Sequence, residues 1–447
     1  MSRPAEHRPD EHQPTEPRPS AEGLPPLHLA VALDGAGWHP AAWRAEGARP
    51  GELFTAGYWV DLVTEAEHGL LDLVTFEDTL ALPSSFNGPA ERTDQVRGRL
   101  DAVLIASRVA PLTSRIGLLP TSNVTHTEPF HLSTAIATLD YTSLGRAGWR
   151  PQVSARADDA THFGRRATPR LVEDDLSSSL AISKRLEPLF HEAADVVEVI
   201  RRLWDSWEDD AEIRDTATGR FLDRTRLHRI DFTGEQFAVR GPSITPRPPQ
   251  GQPPVAVLAH APIPYELAAK GGDLVFITPF SAEGTASILG EVATAVTAVG
   301  RPADHPLKVF ADLVVFLDER PGEAARQKER LDELDGVPQH SDAHIFTGTP
   351  AELADLLLDW QTVETAGLRL EGYRLRPGRL PHDLTAITRG LVPELQKRSA
   401  FRTEYTADTL RGHLGLPRPA NRYATARPDA APEQAQAPDQ AQGPEQA

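Results

Sequence analysis

The chain contains no cysteine. That excludes disulfides, thiolate nucleophiles, iron–sulfur clusters and cysteine-based zinc sites at once. Methionine occurs once, and aromatic residues make up only 6%. Basic residues are also short: 46 Lys and Arg against 64 Asp and Glu leave a net charge of −18. A chain of that sign lacks the basic face that nucleic acid needs, and an anionic membrane surface repels it. No apolar run approaches the roughly 18 residues of a bilayer span. The first residues, MSRPAEHRPDEHQPTEPRPS, are polar and Pro-rich with no apolar stretch, so they do not read as a secretory signal. The expectation is a soluble cytoplasmic protein whose chemistry comes from His, carboxylates, hydroxyls or a bound cofactor.

What is present is a core: 40% of the residues are hydrophobic. Residues 1–23 and 424–447 read as disordered tails, the second repeating a Pro–acid–Gln–Ala unit that cannot bury enough apolar surface to offset ordering. Residues 24–423 read as one domain. Within it, strand-like runs alternate with helix-length runs. The strands are Leu27–Asp34, Asp72–Asp78, Arg115–Asn123, Gly148–Ser154, Val255–His260, Leu274–Thr278, Val309–Leu317 and Leu368–Leu375. Helices are expected at Phe54–Gly69, Arg97–Leu112, Pro129–Leu144, Leu186–Trp207 and Leu384–Lys397, with others between. Such alternation implies parallel strands joined by right-handed crossovers, and eight units favour a (β/α)8 TIM barrel over an open sheet. Two stretches interrupt it: 155–185 after strand 4, and 208–252 before strand 5, the latter with a small hairpin between Arg229–Phe232 and Gln236–Arg240. Insertions at this face are lid candidates.

In a parallel barrel, reactive groups sit at the carboxyl ends of the strands. Here these ends carry Asp34 with His39 beyond it, Glu77 and Asp78, Thr121 and Asn123, Gln152 and Ser154, His260, and Thr278. No Ser–His–Asp set, metal-ligand spacing or acid/base pair stands out. Glu77 and Asp78 are adjacent and so face opposite sides of a strand. A mouth rich in amides and hydroxyls and poor in nucleophiles suits an organic cofactor that performs the hard step itself.

Several blocks then carry a resemblance. Gly37-Trp38-His39-Pro40-Ala41-Ala42-Trp43-Arg44, Phe76-Glu77-Asp78-Thr79, Thr121-Ser122-Asn123-Val124-Thr125-His126-Thr127-Glu128-Pro129-Phe130 and Leu139-Asp140-Tyr141-Thr142-Ser143-Leu144-Gly145-Arg146-Ala147-Gly148-Trp149 come in order. Leu203-Trp204-Asp205-Ser206-Trp207, Gly348-Thr349-Pro350 and Val392-Pro393-Glu394-Leu395-Gln396 follow. Together they resemble the bacterial luciferase-like flavin-dependent monooxygenases, in the branch of the nitrilotriacetate and dibenzothiophene-sulfone monooxygenases.

The resemblance implies a TIM barrel that takes reduced FMN from a separate NAD(P)H:flavin reductase and uses O2 to oxygenate a small organic substrate, commonly as a homo-oligomer. It places Asp78, Thr121 and Asn123 near the flavin; His39, just beyond the end of strand 1, is the candidate catalytic residue. Two departures stand out. Arg150 occupies a position where the family carries a flavin-contacting Asn, and Gln152 on the same strand is expected to supply equivalent bonds. The family's phosphate-cradling segment after strand 5 is here Leu258-Ala259-His260-Ala261-Pro262-Ile263-Pro264-Tyr265. Two prolines remove two donors there, which leaves His260 to compensate. That change keeps two other readings open: an oxidoreductase using the deazaflavin F420, and a non-catalytic flavin-binding barrel.

Overall fold

The computed structural model describes residues 23–83, 92–164 and 179–424. Both tails, except their innermost residues, and much of the first insertion lie outside them.

Eight parallel strands ring a common axis: β1 His28–Leu33, β2 Leu73–Phe76, β3 Gly117–Asn123, β4 Arg150–Gln152, β5 Ala256–Leu258, β6 Leu274–Ile277, β7 Lys308–Leu317 and, after an additional strand β8 at His344–Gly348, β9 Gly372–Pro377. The sheet runs β4-β3-β2-β1-β9-β7-β6-β5, and an isolated parallel bridge between Trp149 and Val255 closes it. The eight-unit (β/α)8 reading therefore holds, with corrections.

One correction is β8, which the sequence reading lacks. It pairs only with the upper half of β7, Leu313–Leu317, while β6 pairs with the lower half, Leu274–Ile277 against Lys308–Ala311. Another is the last barrel strand, expected at 368–375 and found at 372–377. Leu368–Arg369 instead folds back on Glu364–Thr365 as a hairpin, with Ala366 and Gly367 at positive φ in the turn. The helix expected from Arg97 starts at Ala102, because Asp101 caps it by accepting from Leu104 N. The hairpin before strand 5 is present as Phe232–Thr233 against Ala238–Val239, and a second, unforeseen one pairs Glu212–Asp215 with Arg220–Leu222.

Strand alternation divides the core in two. Leu29, Val31, Val74, Phe76, Leu118, Val257, Val275, Val309, Tyr373 and Leu375 pack outward against the helices. Ala30, Leu73, Leu119, Ala256, Leu274, Phe276 and Phe310 fill the barrel, where Leu410, Leu414 and Leu416 close its amino-terminal end. The helices that matter for the site are α1 Ala56–His68, α2 Ala102–Val109, α3 Pro129–Thr142, α4 Ala157–Phe163, α5 Ser179–Asp205, α6 Pro262–Gly271, α7 Ala282–Ala298 and α8 Glu323–Asp335. No helix among the described residues is long and apolar enough to cross a membrane.

Candidate active site

Toward the carboxyl ends of the strands the filling of the barrel turns from hydrocarbon to charge. Arg374 and Arg376 sit two residues apart on β9 and both point inward. Asp312 of β7 receives Arg374 Nε at 2.8 Å and Arg376 Nε at 2.9 Å. Arg374 Nη1 reaches Glu77 Oε1 at 3.1 Å, and Glu77 also pairs with Arg150 of β4. Arg150 Nε in turn donates to Thr121 Oγ1 at 2.9 Å. Arg376 Nη1 extends to Asp342 Oδ1 at 2.6 Å, and its guanidinium lies 4.6 Å from the Trp38 ring centroid. Three arginines thus interlock with three carboxylates. Burial works to raise the carboxyl of Asp312, but Arg374 and Arg376 outweigh it and hold the group down at about 2. Glu77 is likewise held low, burial being overcome by Arg150 and Arg374. Burial lowers the Arg150 guanidinium to about 10 against the pull of Glu77.

Beside this network lies a cavity of about 620 Å³, within the size range of sites for small ligands. Trp38, Trp43, Val96, Val314 and Pro338 give it apolar walls, while Arg99, His260, Gln339 and Asp342 give it polar ones. Arg99 is anchored by Asp34, with Nη2 at 2.6 and 2.7 Å from the two carboxylate oxygens. Gln339 Nε2 donates to Trp38 O at 2.9 Å, while its Oε1 is buried without a partner.

The six candidate residues divide between this cavity and the opposite side of the mouth. His39 and His260 line the cavity; Asp78, Thr121, Asn123 and Gln152 do not. His39 Nδ1 accepts from Ala41 N at 3.0 Å, which leaves the hydrogen on Nε2, 3.0 Å from Asp332 Oδ1. Both ring nitrogens are committed. Burial lowers its pKa, against the pull of Asp332. His260 is more open, with 43% of its side chain exposed. Its Nδ1 is 2.8 Å from Thr278 Oγ1, and its Nε2 is 3.4 Å from Asp342 Oδ2.

On the β2–β4 side, Asp78 accepts from Thr79 N at 2.7 Å and Ala102 N at 3.4 Å, at the amino terminus of α2. Burial raises its carboxyl to about 6. Thr121 is taken up by Arg150. Asn123 Oδ1 accepts from Thr125 N and His126 N, each at 3.0 Å, but its Nδ2 is buried without a partner. Gln152 lies opposite Asn123 in the β3–β4 register, and its amide makes no hydrogen bond to a described residue. These two amides therefore bring unused hydrogen-bonding atoms to neighbouring strand ends. That fits the edge of a flat heteroaromatic ring such as the isoalloxazine of FMN. The amino terminus of α6 does not fit the phosphate: its first and third residues are Pro262 and Pro264, and no side chain caps it.

Reading the sequence by strand ends missed Arg374, Arg376, Asp312, Asp342 and Arg99. A signal was there: arginines at i and i+2 in an otherwise apolar strand must share one face.

The model of the family described as luciferase-like monooxygenase matches residues 36–362. The chain belongs to that family. N-acetyl-S-(2-succino)cysteine monooxygenase of Bacillus subtilis is 30% identical, over 89% of this chain and 98% of its own. Nitrilotriacetate monooxygenase component A of Aminobacter aminovorans is 28% identical, again over 89% and 98%. Among solved structures, the EDTA monooxygenase of Chelativorans sp. BNC1 superimposes with a TM-score of 0.73 at 22% identity, over 88% of this chain and 99% of that one. The luciferase-like family thus accounts for the barrel, and the three relatives just named are monooxygenases.

Proposed function

We propose that the chain is the oxygenase of a two-component flavin system. It takes reduced FMN from a separate NAD(P)H:flavin reductase and, with O2, inserts one oxygen atom into a small organic substrate. The observation that carries this reading is the near full-length match to monooxygenases, set on a barrel mouth whose Asn123 and Gln152 amides have unused atoms. That one such relative is named component A supports a partner protein.

Reduced FMN, when bound, supplies the two electrons that activate O2. The protein's part is to hold and to shield. Asn123 Nδ2 and the Gln152 amide would hold the ring's polar edge. The Asp78 carboxyl, raised to about 6 by burial, is an acceptor or a donor close to neutral pH. Trp38, Trp43, Val96 and Val314 give the adjoining cavity an apolar wall suited to an organic substrate. The charge network fixes the floor rigidly without adding net charge, since its three cations match its three carboxylates.

Anaerobic titration of the purified protein with photoreduced FMN tests the reading. Saturable binding at micromolar flavin is expected. No binding at high micromolar concentration, or uptake of F420 in its place, would sink it.

A further inference from the structure

Three elements converge on one imidazole. His260 follows β5, Thr278 follows β6, and Asp342 precedes β8 with its second oxygen held by Arg376 of β9. Of the two cavity histidines on the candidate list, His39 has both nitrogens committed, whereas His260 Nε2 has only the 3.4 Å contact to Asp342. Asp342 and His260 both line the cavity, so a polar atom bound there can take the Nε2 hydrogen in place of Asp342.

We propose that His260 is the proton donor of the oxygenation, its Nε2 delivering a proton to the oxygen atom of O2 that leaves as water. The proposal rests on the oxygenase reading above. When one atom of O2 goes to the substrate, the other leaves as water. The two electrons come from the reduced flavin, and the departing oxygen takes up two protons: one is the N–H proton that the reduced flavin anion gives up as it is reoxidised, the other comes from His260. In the imidazolium form, Nδ1–H donates to Thr278 Oγ1 and Nε2–H faces Asp342. The Nε2–H bond breaks with its electron pair staying on the ring, a new O–H bond forms, and Nδ1–H stays on Thr278. The exposed part of the ring then regains a proton from solvent.

The charged groups around the ring set its acidity. Packing around it lowers the pKa, Asp342 and Asp312 raise it, and Arg376 and Arg374 lower it. β6 contributes only the neutral Thr278. The Asp34–Arg99 pair and His340 line other parts of the same cavity. A donor more acidic than an ordinary histidine gives up its proton readily and still recharges in mildly acidic solution.

Two measurements test the assignment. In the full chain without flavin, the His260 ring resonance, identified by its loss in His260→Gln, is followed by NMR against pH. Its midpoint is expected below the usual histidine range and lower still in Asp342→Asn, which removes the carboxylate that favours the charged ring. An unmoved midpoint in Asp342→Asn overturns the coupling and the proposal. In the second measurement, reduced FMN bound to the enzyme is mixed with O2 and a small thioether as the oxygen acceptor, and sulfoxide formation is followed. The wild-type rate is expected to fall as pH rises through the NMR midpoint. His260→Gln should bind FMN as before but turn over about 100-fold more slowly, with that limb of the profile gone. A His260→Gln enzyme with wild-type rate and pH profile overturns the proposal. A chain that takes up no reduced FMN overturns the oxygenase reading and this assignment with it, an outcome the flavin titration alone reveals.

Discussion

Arg374 Nε lies 2.8 Å from Asp312 Oδ1, and neither side chain has any exposed surface. The same carboxylate also serves Arg376. Such a buried network is costly to desolvate and adds little over an apolar core, but removing one member strands the others. Asp312→Ala leaves two buried guanidinium groups short of a counter-charge. The expected cost is about 3–5 kcal/mol of folding stability, read from urea titration. A loss below about 1 kcal/mol would mean that Glu77 and Asp342 can compensate.

The same network sets an acid limit. Asp312 of that network is held down at about 2, and so is Asp273, which is buried outside it between Arg201 and Arg411; both lie below the value near 4 of an unfolded aspartate. Their stabilisation is complete above about pH 4 and is lost as pH falls through the folded values. Thermal melts should show this component level between pH 5 and 7 and falling steeply from pH 4 towards 2. A midpoint that does not move from pH 5 to 3 would contradict the pairing.

The Gln152 amide has no hydrogen bond to a described residue to lose, and Asp78 holds Thr79 N and, more weakly, Ala102 N. Gln152→Ala should leave stability within about 0.5 kcal/mol of wild type, and Asp78→Ala should leave the chain folded. Each should weaken reduced-flavin binding. Paired melts and anaerobic titrations read both effects. Wild-type affinity in both variants would move the ring away from the β2–β4 strand ends.

Pro262 and Pro264 leave the α6 terminus without a phosphate cradle. Reduced riboflavin and reduced FMN are therefore expected to bind with affinities within about threefold of each other, since a phosphate left in solvent adds little. A preference for FMN of a hundredfold would reveal a built phosphate site elsewhere.

His39 spends both ring nitrogens on partners within the fold, Ala41 N and Asp332. His39→Ala should cost about 1–3 kcal/mol, with turnover per folded molecule kept. A fully folded, flavin-binding His39→Ala enzyme that has lost turnover would instead give His39 the catalytic role expected of it.

The strand–helix alternation made the barrel legible, because hydrophobic periods of 2 and 3.6 report local geometry directly. His344–Gly348 escaped because it is only partly buried and leans on half of one neighbour, so its sequence has no reason to look like a core strand. The site was legible only in part. Asn123, Gln152 and His260 stand where strand ends place them. The Arg150–Glu77–Arg374–Asp312–Arg376–Asp342 chain joins residues far apart in sequence, and no spacing rule reports such partners. Only the Arg374/Arg376 repeat hinted at it.

Leu410, Leu414 and Leu416 stopper the base of the barrel, and the Leu410 side chain comes so close to Gly117 that a Cβ there would push it aside. The first seven strands are therefore synthesised long before their floor exists. On the ribosome the half-made cylinder therefore presents a greasy opening until almost the whole polypeptide has emerged.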